Sequence, residues 1–385
     1  MTFPQAVPGP EYLVAGRYRL QSRISDSGMS SVWLAKDQLL GRDVAIKQIV
    51  TLEGMPEASA DAVRAKALHE GRVASKLAHP NAIAVYDVAV DRGTPWLVME
   101  YMPARNVAQV LHVVGRLEPS DAAQIGAQVA AAVTAAHDAG LIHRDIKPGN
   151  ILIANTGRDA GRVKLTDFGI AQLKDEDGDD GDLVSGTPAY FAPEVARGAA
   201  PSDASDVYAL GSTIYTMLEG TPPFGTSEDV AELLDAVARA RIRPPENAGA
   251  LEPVLLAMLT PSPAKRPTMA QARDELAQIA ARATRSTPEQ VLTGRIHRPD
   301  GAPPLWALAT PTAPRMRTGA FPRSYVPAPP PTHGPAVQQR PAPAAVAPQR
   351  PAPTDAPFWQ RRPGLVVAGA IAAALVLLLV VVLAL

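Results

Sequence analysis

No cysteine occurs anywhere in the 385 residues. Disulfides, thiolate metal sites and a cysteine nucleophile are therefore excluded, and a reducing compartment fits the absence. Net charge is also nearly missing. The formal value is −1, so the chain as a whole carries no basic excess that would select nucleic acid. The first residues, MTFPQAVPGPEYLVAG, have neither a basic leader nor an apolar core, so no signal peptide is expected.

What charge there is divides unevenly. Residues 286–363 carry +6, residues 364–385 carry none, and −7 is left on residues 1–285. About half of the 39 prolines lie in 286–363, in runs such as VPAPPPTHGP and RPAPAAVAPQRPAP. Proline removes backbone donors and fixes φ, so this basic stretch reads as a disordered linker. Its arginines suit anionic membrane lipid; a plain soluble spacer is the alternative. The last 21 residues, LVVAGAIAAALVLLLVVVLAL (365–385), contain no polar side chain. A helix of that length spans about 30 Å, the thickness of a bilayer core. Residues 364–385 are thus expected to be a transmembrane helix. Arg361 and Arg362 precede it and no charge follows, which predicts a single-pass protein of the cell membrane. Its N-terminal bulk would be cytoplasmic, with a negligible extracellular portion.

Residues 12–285 remain for one folded domain. Its first part alternates as strands do (RYRLQSRIS, SVWLAKD, DVAIKQIV, AIAVYDVAV, PWLVMEY), with one helical stretch near 59–77. From about residue 105 the pattern becomes helical and alanine-rich, interrupted by the short strands ILIA and RVKLTD. The pattern predicts an α+β fold with a small β-rich lobe, a large helical lobe and a cleft between them.

Several motifs stand in order along this domain: VAIK (44–47), Glu70 in the following helix, HPN (79–81), MEYM (99–102), HRDIKPGN (143–150) and DFG (167–169). GTPAYFAPE (186–194), SDVYALGSTIYTMLEGTPPF (205–224) and KRP (265–267) complete the set. Together they resemble the protein kinase family, specifically the eukaryotic-like serine/threonine kinases of bacteria, over essentially all of 12–285. The resemblance implies the two-lobed kinase fold, ATP as phosphoryl donor and Mg²⁺ or Mn²⁺ as cofactor. It implies Asp145 as the base that accepts the substrate hydroxyl proton, and Lys147 as a stabiliser of the transferred phosphoryl group. Asn150 and Asp167 would hold the metal. Lys47 would contact the α- and β-phosphates, held by an ion pair with Glu70. Val32, Ala45 and Leu152 match the positions that sandwich adenine, Met99 the back of the pocket, and Glu100 and Met102 the hinge. His143 and Phe168 match a column that couples the lobes, and Thr187 matches a threonine that marks serine/threonine specificity. Glu194–Arg266 and Asp206 match structural braces.

Two departures from the family pattern stand out. The loop over the phosphates, usually Gly-x-Gly-x-x-Gly, reads ISDSGMSSV from Ile24 to Val32: serines occupy 25, 27 and 30, and Gly28 is the lone glycine. A serine held in left-handed geometry costs about 1–2 kcal/mol, a roughly five- to thirtyfold weakening of nucleotide affinity if Ser25, Ser27 or Ser30 is so affected. The activation segment, KDEDGDDGDLVSGT, holds six carboxylates between 175 and 182, and Ser185 is its only hydroxyl between Gly169 and Gly186. The acidic run is expected to replace in part a phosphate that would pair with Arg144; a solvated acidic loop is the alternative. The expected activity is transfer of the ATP γ-phosphate to Ser and Thr of proteins, including linker residues such as Thr310, Thr318 and Thr332. Phosphothreonine-reading domains would be partners, and a homodimer is allowed. The competing reading is a pseudokinase scaffold on the membrane.

Overall fold

The computed structural model describes residues 9–26, 31–48, 57–168, 187–227 and 229–308. The alternating N-terminal segments pair as a six-stranded antiparallel sheet. Its strands are β1 (Leu13–Val14), β2 (Tyr18–Asp26), β3 (Ser31–Asp37), β4 (Arg42–Gln48), β5 (Val85–Asp91) and β6 (Thr94–Glu100), in the order β1-β2-β3-β4-β6-β5. One helix, α1 (Glu57–Ala74), separates β4 from β5. The period of two sorts the side chains. Val44 and Ile46 face one cluster with Tyr18, Leu20, Trp33, Trp96 and Val98. Ala45, Leu97 and Met99 face the other, which Val32 and Leu152 join. Lys47 shares the parity of Ala45, so alternation alone delivers an ammonium to the edge of that second apolar face.

Asp37 closes the turn after β3. It is fully buried and accepts from Arg17 Nε (2.8 Å), Arg17 Nη2 (2.7 Å) and the N–H groups of Leu39 and Leu40. The Arg17 guanidinium, aided by those two amides, outweighs the effect of burial and holds the Asp37 carboxyl down to about 2.

The helical lobe starts at β7 (Ala104–Asn106), which joins β8 (Ile151–Ala154) and β9 (Val163–Leu165) in a small sheet of order β7-β8-β9. Asn106 then caps α2 (Val107–Val114) in a reciprocal box with Gln109. The next helix, α3 (Pro119–Asp138), is buried along most of its length. Its alanines face neighbours on most sides, and its polar line of Asp121, Gln124 and Gln128 is itself buried, as befits a helix surrounded by others. Around it and beyond lie α4 (Pro193–Ala196), α5 (Asp203–Glu219), α6 (Val230–Arg239), α7 (Glu252–Met258) and α8 (Met269–Thr284). Gly126 lets α3 approach its neighbours: a Cβ there would stand 2.8 Å from Ile214 Cδ1 and 3.3 Å from Leu276 Cδ1. Arg266, whose side chain is fully buried, grips Glu194 through two bonds of 2.6 and 2.7 Å. It spends its other donors on the carbonyls of Thr260, Ala204 and Pro261. A buried charge pair is tolerable only when its remaining donors are satisfied in this way.

The structure differs from the sequence reading at the domain's end. Residues 286–308, expected to begin a disordered linker, fold onto the helical lobe as α9 (Pro288–Thr293), an extended stretch and α10 (Leu305–Leu308). Val291, Ile296 and Ala307 are buried. Thr287 caps α9 in a box with Gln290, and Pro288 takes the first turn, where its missing N–H costs nothing. Among the described residues no helix is long and apolar enough to cross a membrane; the expected span at 364–385 and the linker from 309 lie outside them.

The depressed Asp37 carboxyl generates a pH prediction. Its folded value lies below the unfolded one, so its contribution is present above pH ~4 and is lost as pH falls towards about 2. The loss should amount to about 2 kcal/mol. Urea denaturation at pH 5 and pH 2.5 should show that much less acid sensitivity in Asp37→Asn than in the parent, and equal sensitivity would refute the assignment.

Candidate active site

The segment between α3 and β8, residues 139–150, carries the HRDIKPGN motif, and its conformation depends on one carboxylate from α5. Asp206, 1 % exposed, accepts from the backbone N–H of His143 (2.7 Å) and of Arg144 (2.8 Å) and contacts His137 Nε2 at 2.8 Å. Those two amides fix Arg144 at φ +71°, a left-handed conformation rare for a side-chain-bearing residue. The turn so made presents Asp145, Lys147 and Asn150 on one side. Lys147 Nζ lies 2.8 Å from Asp145 Oδ2 and 2.9 Å from Thr187 Oγ1. Asn150 Nδ2 donates to the Asp145 carbonyl (2.7 Å) and to Asp145 Oδ2 (2.9 Å).

Asp167 follows β9 at φ +67°. Its Oδ2 lies 3.0 Å from Lys47 Nζ, a pair that joins the two lobes. Burial alone would raise the Asp167 carboxyl. The Lys47 ammonium, with Lys147 adding to it, prevails and lowers it below the ordinary range. His143 links this segment to the turn that carries Asp145. It is fully buried, and burial lowers its pKa despite the nearby Asp206 and Asp145. A neutral ring satisfies both neighbours: Nε2–H donates to the Thr166 carbonyl (3.0 Å), while Nδ1 accepts from the Asp145 N–H (3.3 Å). The Phe168 ring packs edge-on against it at 4.7 Å.

The donor set fits a hard divalent cation. Both Asn150 amide protons are taken by Asp145, so the oxygen it can offer is Oδ1, and Asp167 keeps Oδ1 beside the atom that meets Lys47. Among the described residues no group of three or more His, Asp or Glu encloses an ion. This sparse carboxylate and carboxamide set suits Mg²⁺, which retains waters and takes phosphate oxygens. Beyond it lies the apolar patch of Ala45, Ile83, Leu97 and Met99, with Val32 from one lobe and Leu152 from the other.

Most residues singled out from the sequence therefore converge: Lys47, Asp145, Lys147, Asn150, Asp167 and Thr187 at the polar end, and Val32, Ala45, Met99, Met102 and Leu152 at the apolar end. The loop is different. Ile24 and Ser25 lie on β2, and Ile24 is half exposed. Ser25 pairs with Val32 in extended backbone and is not among the positive-φ residues, so the strain expected there is absent. Ser27, Gly28, Ser30 and Ser185 lie outside the described residues, as does the side chain of Glu70 on α1. The sequence reading missed Lys164. Its Nζ reaches Glu100 Oε2 at 2.8 Å and the Ala82 carbonyl at 3.2 Å, which ties the inter-lobe connection to β9. Glu100 Oε2 also accepts from the Ala84 N–H at 3.2 Å. A Lys three residues before Asp167 carries no pattern that announces this.

Replacing Asp206 by Ala leaves two buried N–H groups without an acceptor. Urea unfolding is expected to show a loss of about 3 kcal/mol. Unchanged stability would mean that Asp206 does not set the turn.

Comparison with known proteins agrees with this geometry. The protein kinase domain family matches residues 18–276. A probable serine/threonine-protein kinase of Corynebacterium efficiens is 35% identical over 306 residues, covering 75% of this chain and 44% of that protein. Serine/threonine-protein kinase PknA of Mycobacterium tuberculosis is 40% identical over 221 residues, covering 55% and 48%. The chain thus aligns with less than half the length of these relatives. Among solved structures, Rad53 1-466 in complex with AMP-PNP superposes with a TM-score of 0.55 at 24% identity, covering 67% of this chain and 64% of that one. It shares the fold. The ordered motifs, the convergent side chains and the match over residues 18–276 lead to one conclusion: the chain belongs to the protein kinase family.

Proposed function

We propose that this chain is a serine/threonine protein kinase that transfers the γ-phosphoryl group of ATP to protein hydroxyls. The observation that carries the reading is the convergence of Asp145, Lys147, Asn150, Asp167 and Lys47 from three separate segments. ATP with Mg²⁺ or Mn²⁺ would supply the transferable phosphoryl group and neutralise its charge. Asp145 would accept the proton of the incoming hydroxyl, and Lys147, bridging Asp145 and Thr187, would orient that acceptor and offset negative charge at the phosphoryl group. Asn150 Oδ1 and Asp167 would hold the cation, and Lys47 would face the α- and β-phosphates. Glu70 is proposed as a partner of Lys47. The apolar face between Val32, Ala45, Met99 and Leu152 would exclude water around adenine, with Glu100 and Met102 offering backbone groups to its edge. In the activation segment, Arg144 would take a phosphate or the acidic run near Ser185. Residues 364–385 would anchor the protein in the cell membrane with its folded part cytoplasmic. Phosphorylated linker threonines would recruit phosphothreonine-reading domains.

The test is phosphoryl transfer by the full chain beside Asp145→Asn. The parent should exceed the variant by about 10²–10⁴-fold, the range of a general base. Equal background in both would overturn the kinase reading and leave a scaffold. Because Ser25 is extended, Ser25→Gly should leave ATP affinity within about twofold, since glycine only adds backbone entropy there. A nucleotide-dependent thermal shift reads it, and a several-fold gain in affinity would show that position 25 does strain the loop.

A further inference from the structure

The segment 286–308 does more than cover apolar surface. Three polar side chains of α3, one turn apart, receive it. Asp121 Oδ2 accepts from Trp306 Nε1 at 2.8 Å. Gln124, fully buried, clasps the His297 backbone from both sides: Nε2 donates to its carbonyl and Oε1 accepts its N–H, each at 2.9 Å. Gln128, also fully buried, donates from Nε2 to the Val291 carbonyl at 2.9 Å. Ile296 N–H bonds the Gly161 carbonyl at 3.0 Å. Gly161 has φ +86°, and a Cβ there would meet Arg295 Cβ and the Ile296 carbonyl at 3.3 Å.

Gln128 faces two ways. Its Oε1 accepts from Asn81 Nδ2 at 3.0 Å, and the same Asn81 nitrogen donates to the Val163 carbonyl at 2.9 Å. The Asn81 carbonyl in turn accepts the Leu165 N–H at 2.8 Å, and the Leu165 carbonyl accepts the Ile83 N–H at 2.8 Å. Asn81 therefore pins β9 at both ends, two residues before Asp167, and Gln128 pins Asn81. An amide has a fixed plane. Gln128 cannot turn its nitrogen away from Val291 without turning its oxygen away from Asn81.

We infer that Gln128 is a positioning residue: it couples the docking of residues 286–308 to the placement of β9, and through β9 to the Asp167 carboxylate. The coupling follows from one planar group serving two partners in a dry interior, where an amide left half-bonded costs more than a bond lost at the surface. It makes the start of the chain's C-terminal segment part of the apparatus that sets the metal-binding carboxylate. Release of the segment would loosen that carboxylate without touching it. The consequence for catalysis rests on the kinase reading; the mechanical coupling does not.

The experiment compares the full chain with Gln128→Met, which removes both bonds at similar volume, and Trp306→Phe. The latter removes one bond at the far end of the segment and leaves Gln128, Asn81 and β9 unaltered. Hydrogen exchange is read for peptides covering 81–84 and 163–166, with 44–48 as an internal reference. The Mg²⁺ concentration for half-maximal phosphoryl transfer to casein is measured in parallel. Both variants should speed exchange in 81–84 and 163–166 by about fivefold, the scale of one buried hydrogen bond, with 44–48 unchanged. Both should raise the half-maximal Mg²⁺ concentration by a similar factor, with the KM for casein unchanged. Faster exchange in Trp306→Phe confined to 288–308, with 163–166 as in the parent, would overturn the coupling and leave a clasp that only stabilises. If the parent transfers no phosphate, the kinase reading fails on that arm, while the exchange arm still decides the coupling. If Gln128→Met does not fold, Trp306→Phe alone decides it.

Discussion

The arrangement at the cleft rests on a carboxylate outside the set proposed to act on the phosphoryl group. Asp206 receives two consecutive backbone N–H groups from the turn that carries Asp145. Consecutive amides can point at one acceptor only if the chain bends sharply, and the bend appears as the left-handed Arg144. Such a conformation costs about 1–2 kcal/mol on its own. Two charge-assisted hydrogen bonds in a buried setting more than offset it. The strain is thus held by α5, an element deep in the helical lobe and packed against α3. The turn inherits the rigidity of that core, and Asp145 inherits the position of the turn.

A second left-handed residue, Asp167, answers the first from the other side. Between them the neutral His143 spends one ring nitrogen on each segment, which keeps the turn and the β9 strand in register. Lys47 then crosses from the sheet to Asp167, and Lys164 crosses from β9 to Glu100. Among the described residues the lobes are therefore joined by two ammonium–carboxylate pairs, one at the polar end of the cleft and one at its connecting strand. Partly exposed pairs of this kind contribute modestly to stability. Their value is geometric: each fixes an angle between lobes that apolar contact alone would leave soft.

Much of this was legible in the chain because the chemistry is locally encoded. HRDIKPGN places a carboxylate, a lysine and a carboxamide within six residues, and period-two alternation assigns Ala45 and Lys47 to one face whatever the tertiary fold. The bidentate Glu194–Arg266 pair was legible only through family resemblance, since the partners lie far apart in sequence. The folded segment 286–308 was not legible. Pro288, Pro299, Pro303 and Pro304 make it look like the linker that follows, and its anchors Val291, Ile296 and Trp306 keep no helical or strand period. Its hydrogen bonds to α3 go to residues more than 160 positions earlier. One local signal was present: Thr287, Pro288 and Gln290 form a helix start of the capping-box kind. Ser25 failed for the opposite reason. A motif written for glycine invites a strain argument, but the residue sits inside a strand and needs no unusual φ.

That last point bears on how the convergent side chains of the cleft hold their places beside a segment, residues 24–32, with a single glycine. The groups proposed to act on the phosphoryl group are held from below, by α5 through Asp206, by α3 through Gln128 and Asn81, and by β4 through Lys47. Among the described residues, the first two of these supports do not pass through residues 24–32, whereas β4 pairs Lys47 with Val32 at the loop's end. On the proposed reading a change in that segment would weaken nucleotide binding by a factor set by the left-handed cost at any position that adopts it. It does not displace Asp145, Asn150 or Asp167 from one another. On the proposed reading, substitutions at Ser25, Ser27 or Ser30 would act on nucleotide binding, while Asp145 and Asn150 keep their placement through Asp206 and the core beneath.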